Sequence, residues 1–374
     1  MSDINSQPQT VAFMYLGRHG ALGQFTFELA AAARRTPGLQ PYFLVSANNE
    51  ASAVLARGFD DVRFVPTFER PTPWAVSTGY RRARRAISQY LDALQPVAVV
   101  NLMPHIWSPL IGPMVRQRAI AYQTIIHDAV PHPGDPTARV TRWLLRDARN
   151  AGTVFTLSKS VARSLVDQRI TDADKTVTLF HPDLHFTGTN APRVRSASGA
   201  LRLLFLGRIM AYKGLDLLID AVSQLRASGV NIELGVAGSG EISIENRARL
   251  AGLGAEVINR WIKDEEISGI LARYDALACA HVEASQSGVA ATAFGHAMPV
   301  VAMPVGGIAE QVIDGKTGVM AGAADATAYA EAIGRLANDA ALYNAISAAL
   351  FHHRASRSMA RFIAGLLSAV QRVR

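Results

Sequence analysis

Short apolar runs alternate along the chain with longer stretches in which apolar positions recur at helical spacing. In the first half the runs Val11–Leu16, Tyr42–Val45, Val97–Leu102, Ala119–Ile126 and Thr153–Leu157 are mostly apolar, the pattern of strands covered on both faces. Between them Gln24–Arg35, Gly79–Leu94 and Pro136–Ala151 read as helices. The alternation stops at Thr187–Gly199, a stretch of Gly, Ser, Thr, Pro and Asn without an apolar period, which reads as a linker. It resumes with strand-like runs at Leu201–Leu206, Ile232–Ala237, Glu256–Asn259, Ala276–Ala280 and Val300–Met303. In the tail Ala355–Val373, Met359, Phe362, Ile363, Leu366, Leu367 and Val370 share a helix face, so this helix is expected to pack on the body of the protein.

The pattern predicts an α/β protein of two Rossmann-like domains whose parallel sheets face an interdomain cleft. Residues 1–186 form the first, 187–199 the linker, 200–350 the second, and 351–374 the C-terminal helix. A length of 374 residues agrees, since it exceeds what one core usually serves. Hydrophobic residues at 49% and charged residues at 18% exclude disorder and coiled coil. The single cysteine, Cys279, excludes an intramolecular disulfide and a zinc cluster. Residues Met1–Thr10 lack the pattern of a signal peptide, and no run approaches the roughly 18 apolar residues that span a bilayer, so a cytoplasmic protein is expected. A net charge of +8 and a pI near 9.9 point to an anionic partner: nucleic acid, anionic lipid and phosphorylated small molecules are all open on charge alone.

Parallel sheets bind ligands beyond the carboxyl ends of their strands, so the informative residues follow each strand. After Leu201–Leu206 come Gly207, Arg208, Lys213 and Gly214, then the amphipathic stretch Leu215–Arg226. A glycine turn, two cations and a helix N-terminus suit a phosphate or diphosphate; two surface cations on an ordinary β–α loop is the equal alternative. Gly238-Ser239-Gly240 is a second glycine turn after a strand. Glu283 precedes Ser285-Gln286-Ser287-Gly288-Val289, where a helix start can offer backbone N–H groups to an anion. In the first half Gly17, Gly20 and Gly23 follow a strand but stand three apart, which does not fit the dinucleotide GxGxxG spacing. His127-Asp128 ends a strand, and Ser158 either faces a ligand or caps the next helix. Asp172-Ala173-Asp174 reads as a capping turn. Arg81, Arg82, Arg84 and Arg85 lie on a helical stretch with Tyr80, Ile87, Tyr90 and Leu91 on its apolar side; this is a solvated charged face or a docking face for an anionic membrane surface. Nucleic acid is not expected, because the basic residues are scattered and not interleaved with aromatics.

The string GRIMAYKGLDLLIDA resembles the diphosphate-binding segment of retaining GT-B glycosyltransferases of family 4. NIELGVAGSGE, VINRWIKDEEI, YDALACAHVEASQSG and AMPVVAMPVGGIAEQVIDGKTGV resemble successive parts of that family's donor domain, in the family's order. The resemblance implies that Arg208 and Lys213 hold the donor diphosphate, that Glu283 and His127 lie near the transferred sugar, and that Arg260, Trp261 and Ile262 lie along the nucleobase. It further places Gly20, Gly207, Gly238, Gln286, Ser287, Gly288, Val289 and Thr292 about the donor. The family usually carries two glutamates separated by seven residues; here only Glu283 is present, with Ala291 and Thr292 where the second would stand. Thr292 offers one hydroxyl in its place.

By this resemblance the chain is expected to be a metal-independent, retaining hexosyltransferase without a cofactor. It would take a UDP or GDP sugar to a glycan or lipid-linked acceptor in surface polysaccharide or glycolipid assembly, free in the cytoplasm or peripheral at the inner face of the membrane. The alternatives are an epimerase acting on a nucleotide sugar and a non-catalytic nucleotide-sugar-binding scaffold.

Overall fold

The computed structural model describes residues 8–18, 22–70, 72–131, 140–186 and 190–372. They divide into two compact units, the first built from residues up to Val130, from 140 to Phe180 and from Met359 onward, the second from His181 to Ser358.

The first unit is built on a parallel sheet of seven strands: β1 (Gln9–Tyr15), β2 (Leu39–Ser46), β3 (Val62–Val65), β4 (Ala98–Asn101), β5 (Ala121–Ile126), β6 (Thr153–Thr156) and β7 (Thr176–Thr178). Their order is β3-β2-β1-β4-β5-β6-β7. The inner strands are the apolar runs of the sequence and are buried almost throughout, whereas β3 and β7 at the edges carry few apolar residues and leave no run to read. The helix Pro73–Leu94 starts six residues before its predicted beginning. Thr72 caps it by accepting from the Ala75 amide, and Pro73 occupies the first turn, where its missing N–H costs nothing. The predicted helix Pro136–Ala151 is, in its described part, two short helices, Thr141–Leu144 and Arg146–Asn150. Asp147 in the second of them is wholly buried and accepts from Asn101 Nδ2 (2.8 Å), the Tyr122 hydroxyl (2.7 Å) and the Thr124 hydroxyl (2.6 Å), so this helix is fastened to β4 and β5 by a polar network. The helix Met359–Arg372 belongs to this unit, where Phe362 meets the Phe25 and Phe180 rings edge-on.

Gln123 on β5 is 1% exposed, and neither atom of its amide has a hydrogen-bond partner among the described residues. A buried amide without partners carries a desolvation cost that nothing offsets. Gln123→Leu is therefore expected to stabilise the protein by about 1 kcal/mol, read as a melting temperature a few degrees higher; an unchanged or lower melting temperature would show the amide to be satisfied in solution.

The second unit has a parallel sheet of six strands: β8 (Leu201–Leu206), β9 (Ile232–Ala237), β10 (Glu256–Ile258), β11 (Ala276–Cys279), β12 (Val300–Ala302) and β13 (Gly318–Met320), in the order β10-β9-β8-β11-β12-β13. Five of these coincide with apolar runs of the sequence, and β13 at the edge does not. Leu203, Phe205, Leu218, Val222, Leu234, Leu277 and Val301 lie in one continuous core. The described part of the expected linker lies along this unit. Arg193 donates to the carbonyls of His296 (2.9 Å), Tyr274 (2.8 Å) and Leu271 (3.1 Å), and Arg195 donates to Ala337 O (2.8 Å).

Candidate functional site

In the second sheet the strand order reverses between β8 and β11, and the loops leaving those two strands flank that point. Ligands of open parallel sheets bind at such reversals because the crossovers on either side diverge and leave a crevice. Both loops carry the candidate charged residues: Arg208 and Lys213 follow β8, and Glu283 follows β11.

Backbone contacts that admit no side chain hold these loops. Gly207 N donates to Ala237 O (2.9 Å) and Ile209 N to Ser239 O (2.8 Å), which continues the β8–β9 ladder past the strand ends. A Cβ on Gly238 would stand 1.7 Å from Gly207 O, so this position is restricted to glycine. Beyond Arg208, which is exposed, a single 3₁₀ turn, Ala211–Lys213, leads to Gly214 in the left-handed region at φ 69° and into the helix Leu215–Ala227. Gly214 lies against the β11 exit, where a Cβ would meet Ala280 O at 1.9 Å, and Val282 N donates to Tyr212 O (2.9 Å). Lys213 Nζ stands 2.8 Å from Nε2 of His281, a residue the sequence reading did not single out. Its position directly past the end of a central strand was the available signal.

Next to this loop begins the helix Gly288–Gly295, with a Cβ on Gly207 falling 3.3 Å from Val289 Cγ1. Ser287 caps it, its hydroxyl accepting from the Ala290 amide, while its backbone N–H donates to Gln311 Oε1 (3.0 Å). The Ser287 amide is thus committed within the protein, and the first-turn amides of Gly288 and Val289, which have no intrahelical acceptor, are the ones suited to an anion. Gln286 and Glu283 are half-buried on the same loop.

Two of the expected donor contacts, Thr292 and Arg260, bond within the protein. Thr292 is 4% exposed and its hydroxyl donates to Gly288 O at 2.9 Å, one turn back in its own helix. The Arg260 guanidinium is taken up by both oxygens of Glu266, which it holds down at a pKa of about 2. Trp261 is 43% exposed rather than a core residue, while its neighbour Ile262 is buried.

In the first unit the order reverses between β1 and β4. Gly20, on the loop after β1, lies outside the described residues. His127, just past β5, is buried, and its Nε2 donates to Leu102 O (2.8 Å); burial lowers its pKa, so the ring is neutral with its proton on Nε2. His105, past β4, is pushed down to about 4 by burial and by the charge of Arg18, and its Nδ1 accepts from the Trp107 amide. Ser158 caps the helix Lys159–Asp167 through the Val161 amide. Asp172 does not cap: its carboxylate pairs with Lys175 Nζ at 2.9 Å, one turn on.

Residues 200–339 match the family model described as "Glycosyl transferases group 1". The match lies wholly within the second unit. The chain is 28% identical over 282 residues to a D-inositol 3-phosphate glycosyltransferase of Streptomyces scabiei, covering 66% of this chain and 59% of that one. It is 27% identical over 355 residues to a GDP-mannose-dependent alpha-(1-6)-phosphatidylinositol monomannoside mannosyltransferase of Mycolicibacterium smegmatis, covering 84% and 82%. It spans between 40 and 59% of the length of the D-inositol 3-phosphate glycosyltransferases it matches. Among solved structures, Anabaena HepE in complex with UDP-glucose superposes with a TM-score of 0.71 at 15% identity, over 96% of this chain and 99% of that one. At that identity the likeness is one of fold, and the fold is GT-B.

Proposed function

We propose that this chain is a group 1 glycosyltransferase, a retaining hexosyltransferase that moves a sugar from a nucleoside diphosphate to an acceptor hydroxyl. The observation that carries the reading is that Arg208 and Lys213 lie on the loop after β8, at the strand-order reversal, and that Gly207 at the start of this loop lies against Val289 in the first turn of the helix Gly288–Gly295. As the bond from the sugar to the diphosphate breaks, negative charge grows on the leaving phosphate. Fixed cations and amides aimed at it lower the barrier without a metal ion. The incoming hydroxyl then loses its proton to the departing phosphate and attacks from the same face, with Glu283 beside the sugar.

The Mycolicibacterium relative is named for GDP-mannose and a phosphatidylinositol glycolipid, and the Anabaena structure holds UDP-glucose. Together they support a UDP or GDP sugar as donor, and the Mycolicibacterium relative a glycolipid acceptor. The test is thermal stabilisation by UDP, GDP, ADP and dTDP, since a ligand bound to the folded state raises the melting temperature by mass action. Selective stabilisation by one of the four is expected, and no shift with any of them refutes the reading. The absence of an acid at Ala291 and Thr292 favours a second reading, a domain that binds sugar nucleotide without turning it over. That reading predicts stabilisation with no release of nucleoside diphosphate at any acceptor concentration.

Membrane association at the cytoplasmic face is proposed for the helix Pro73–Leu94. Arg81, Arg82, Arg84 and Arg85 are exposed, and no carboxylate among the described residues pairs with them. Beside them opens a groove of about 920 Å³ lined by Arg81, Arg84, Arg85, Leu110, Trp107 and Trp143. Each arginine near an anionic surface contributes about 1 kcal/mol, so replacing all four by glutamine is expected to abolish co-sedimentation with phosphatidylglycerol vesicles. Equal sedimentation of variant and wild type would exclude this helix as the docking face. Among the described residues no helix is long and apolar enough to cross a membrane.

A further inference from the structure

The loop after β11 is laced to the loop after β12 at two points. The first is backbone: Gly307 N donates to Ala284 O (3.0 Å), and a Cβ on Gly306, whose φ is 45°, would stand 1.9 Å from the same carbonyl. The second is a side chain. Gln311, the last residue of the short helix Ile308–Gln311, accepts from Ser287 N at Oε1 (3.0 Å) and donates from Nε2 to Ser287 O (3.0 Å). A carboxamide donates at one atom and accepts at another, whereas a carboxylate, an ammonium or a thioether of similar length cannot do both. Ser287 is 1% exposed, and its carbonyl also accepts from Ala291 N (3.1 Å), the first bond of the helix Gly288–Gly295.

We infer that Gln311 is a positioning residue of the donor site: by holding both backbone groups of Ser287 it fixes the first peptide of the helix Gly288–Gly295 and keeps the Gly288 N–H set for the diphosphate. The inference rests on the reading of this loop as part of a diphosphate site. Ser287 O and Gly288 N belong to one planar trans peptide, so whatever holds the oxygen also sets the direction of the N–H. Two donors on one carbonyl polarise that peptide and strengthen its N–H as a donor. Without the carboxamide the buried Ser287 N–H loses its acceptor, and it regains one only by turning the chain at Ser287. Glycine at 288 resists such a turn little, because it reaches backbone angles closed to other residues. A loop already ordered within the protein relieves the ligand of the cost of ordering it.

The test uses the full chain and calorimetric titration with UDP and GDP. Gln311→Met keeps the length of the side chain and removes both bonds to Ser287; it is expected to weaken the diphosphate that binds wild type about tenfold. Gly288→Pro removes the N–H itself. Gly288 is the first residue of its helix, where proline is tolerated, and Ser287 at φ −131° and ψ 110° has the extended backbone that precedes a proline. Gly288→Ala is its reference, since it adds a Cβ but keeps the N–H. Gly288→Pro is expected to bind the diphosphate about tenfold more weakly than Gly288→Ala, and Gln311→Met to weaken Gly288→Pro by less than about threefold more, because the glutamine acts through that peptide. Wild-type affinity in Gln311→Met, equal affinity in Gly288→Pro and Gly288→Ala, or full additivity of Gln311→Met with Gly288→Pro each overturns the inference. Should Gln311→Met not fold, Gln311→Asn, whose carboxamide is one methylene too short to span both bonds, is read by the same criteria. The underlying reading is judged separately, on wild type, Arg208→Ala and Lys213→Ala: if neither diphosphate binds wild type, or both variants bind unchanged, the diphosphate site falls and the inference with it.

Discussion

Arg208→Ala is expected to lower turnover of the sugar nucleotide by about two to three powers of ten, the loss seen when one fixed donor to developing charge is removed. The Arg208 side chain is exposed at the end of a loop whose course is set by backbone contacts, from Gly207 N on Ala237 O to Ile209 N on Ser239 O. Its removal therefore costs little stability, and the loss falls on the chemical step. The measurement is steady-state release of nucleoside diphosphate, with the melting temperature of the variant as its control. Turnover within threefold of wild type would remove Arg208 from the mechanism and with it the main electrostatic argument for metal-independent transfer.

Gly214→Ala should be among the most damaging small substitutions in the second unit. A left-handed φ of 69° costs a side chain about 1 kcal/mol, and a Cβ placed 1.9 Å from Ala280 O forces two backbone segments apart for a further 1–3 kcal/mol or so. The expected sum is about 2–4 kcal/mol, or a fall in melting temperature of about 5–12 °C. Because the displaced segment carries Lys213, diphosphate affinity should fall well below the melting range. Gly254→Ala is the control: φ is 56° but a Cβ would meet nothing within 4 Å, so only the conformational cost of about 1 kcal/mol is expected. Equal effects at the two positions would mean that the β8 and β11 loops separate without cost.

Central strands were legible because burial on both faces leaves an unbroken apolar run; β8 and β9 match their runs residue for residue. The edge strands β3, β7 and β13 were not, since VRFV, TVT and GVM are too short to rise above a loop. The start of the helix at Pro73 was written in Thr72-Pro73, a cap followed by a first-turn proline. Within the site, charge-bearing residues after strands could be picked out, but not what each side chain does once folded. Lys213 and His281 are 68 positions apart, and no local pattern joins them. Thr292 looked like a free hydroxyl because an i to i−4 bond to Gly288 O leaves no mark on composition. Asp147 reads as a polar position in a helical stretch, and only the convergence of Asn101, Tyr122 and Thr124 on it explains its burial.

The anchoring of Arg193 bears on where the second unit can be cut free. Leu271 lies in the last turn of the helix Asp264–Ala272, and His296 directly follows the helix Gly288–Gly295, so one guanidinium serves the carbonyl-rich ends of both. The family match begins at residue 200, but a fragment beginning there would leave those carbonyls without their donor and Ala337 O without Arg195. The physical start of the piece lies upstream of Arg193, and excised halves intended for crystallisation or domain exchange should begin near His181, where the compact unit begins.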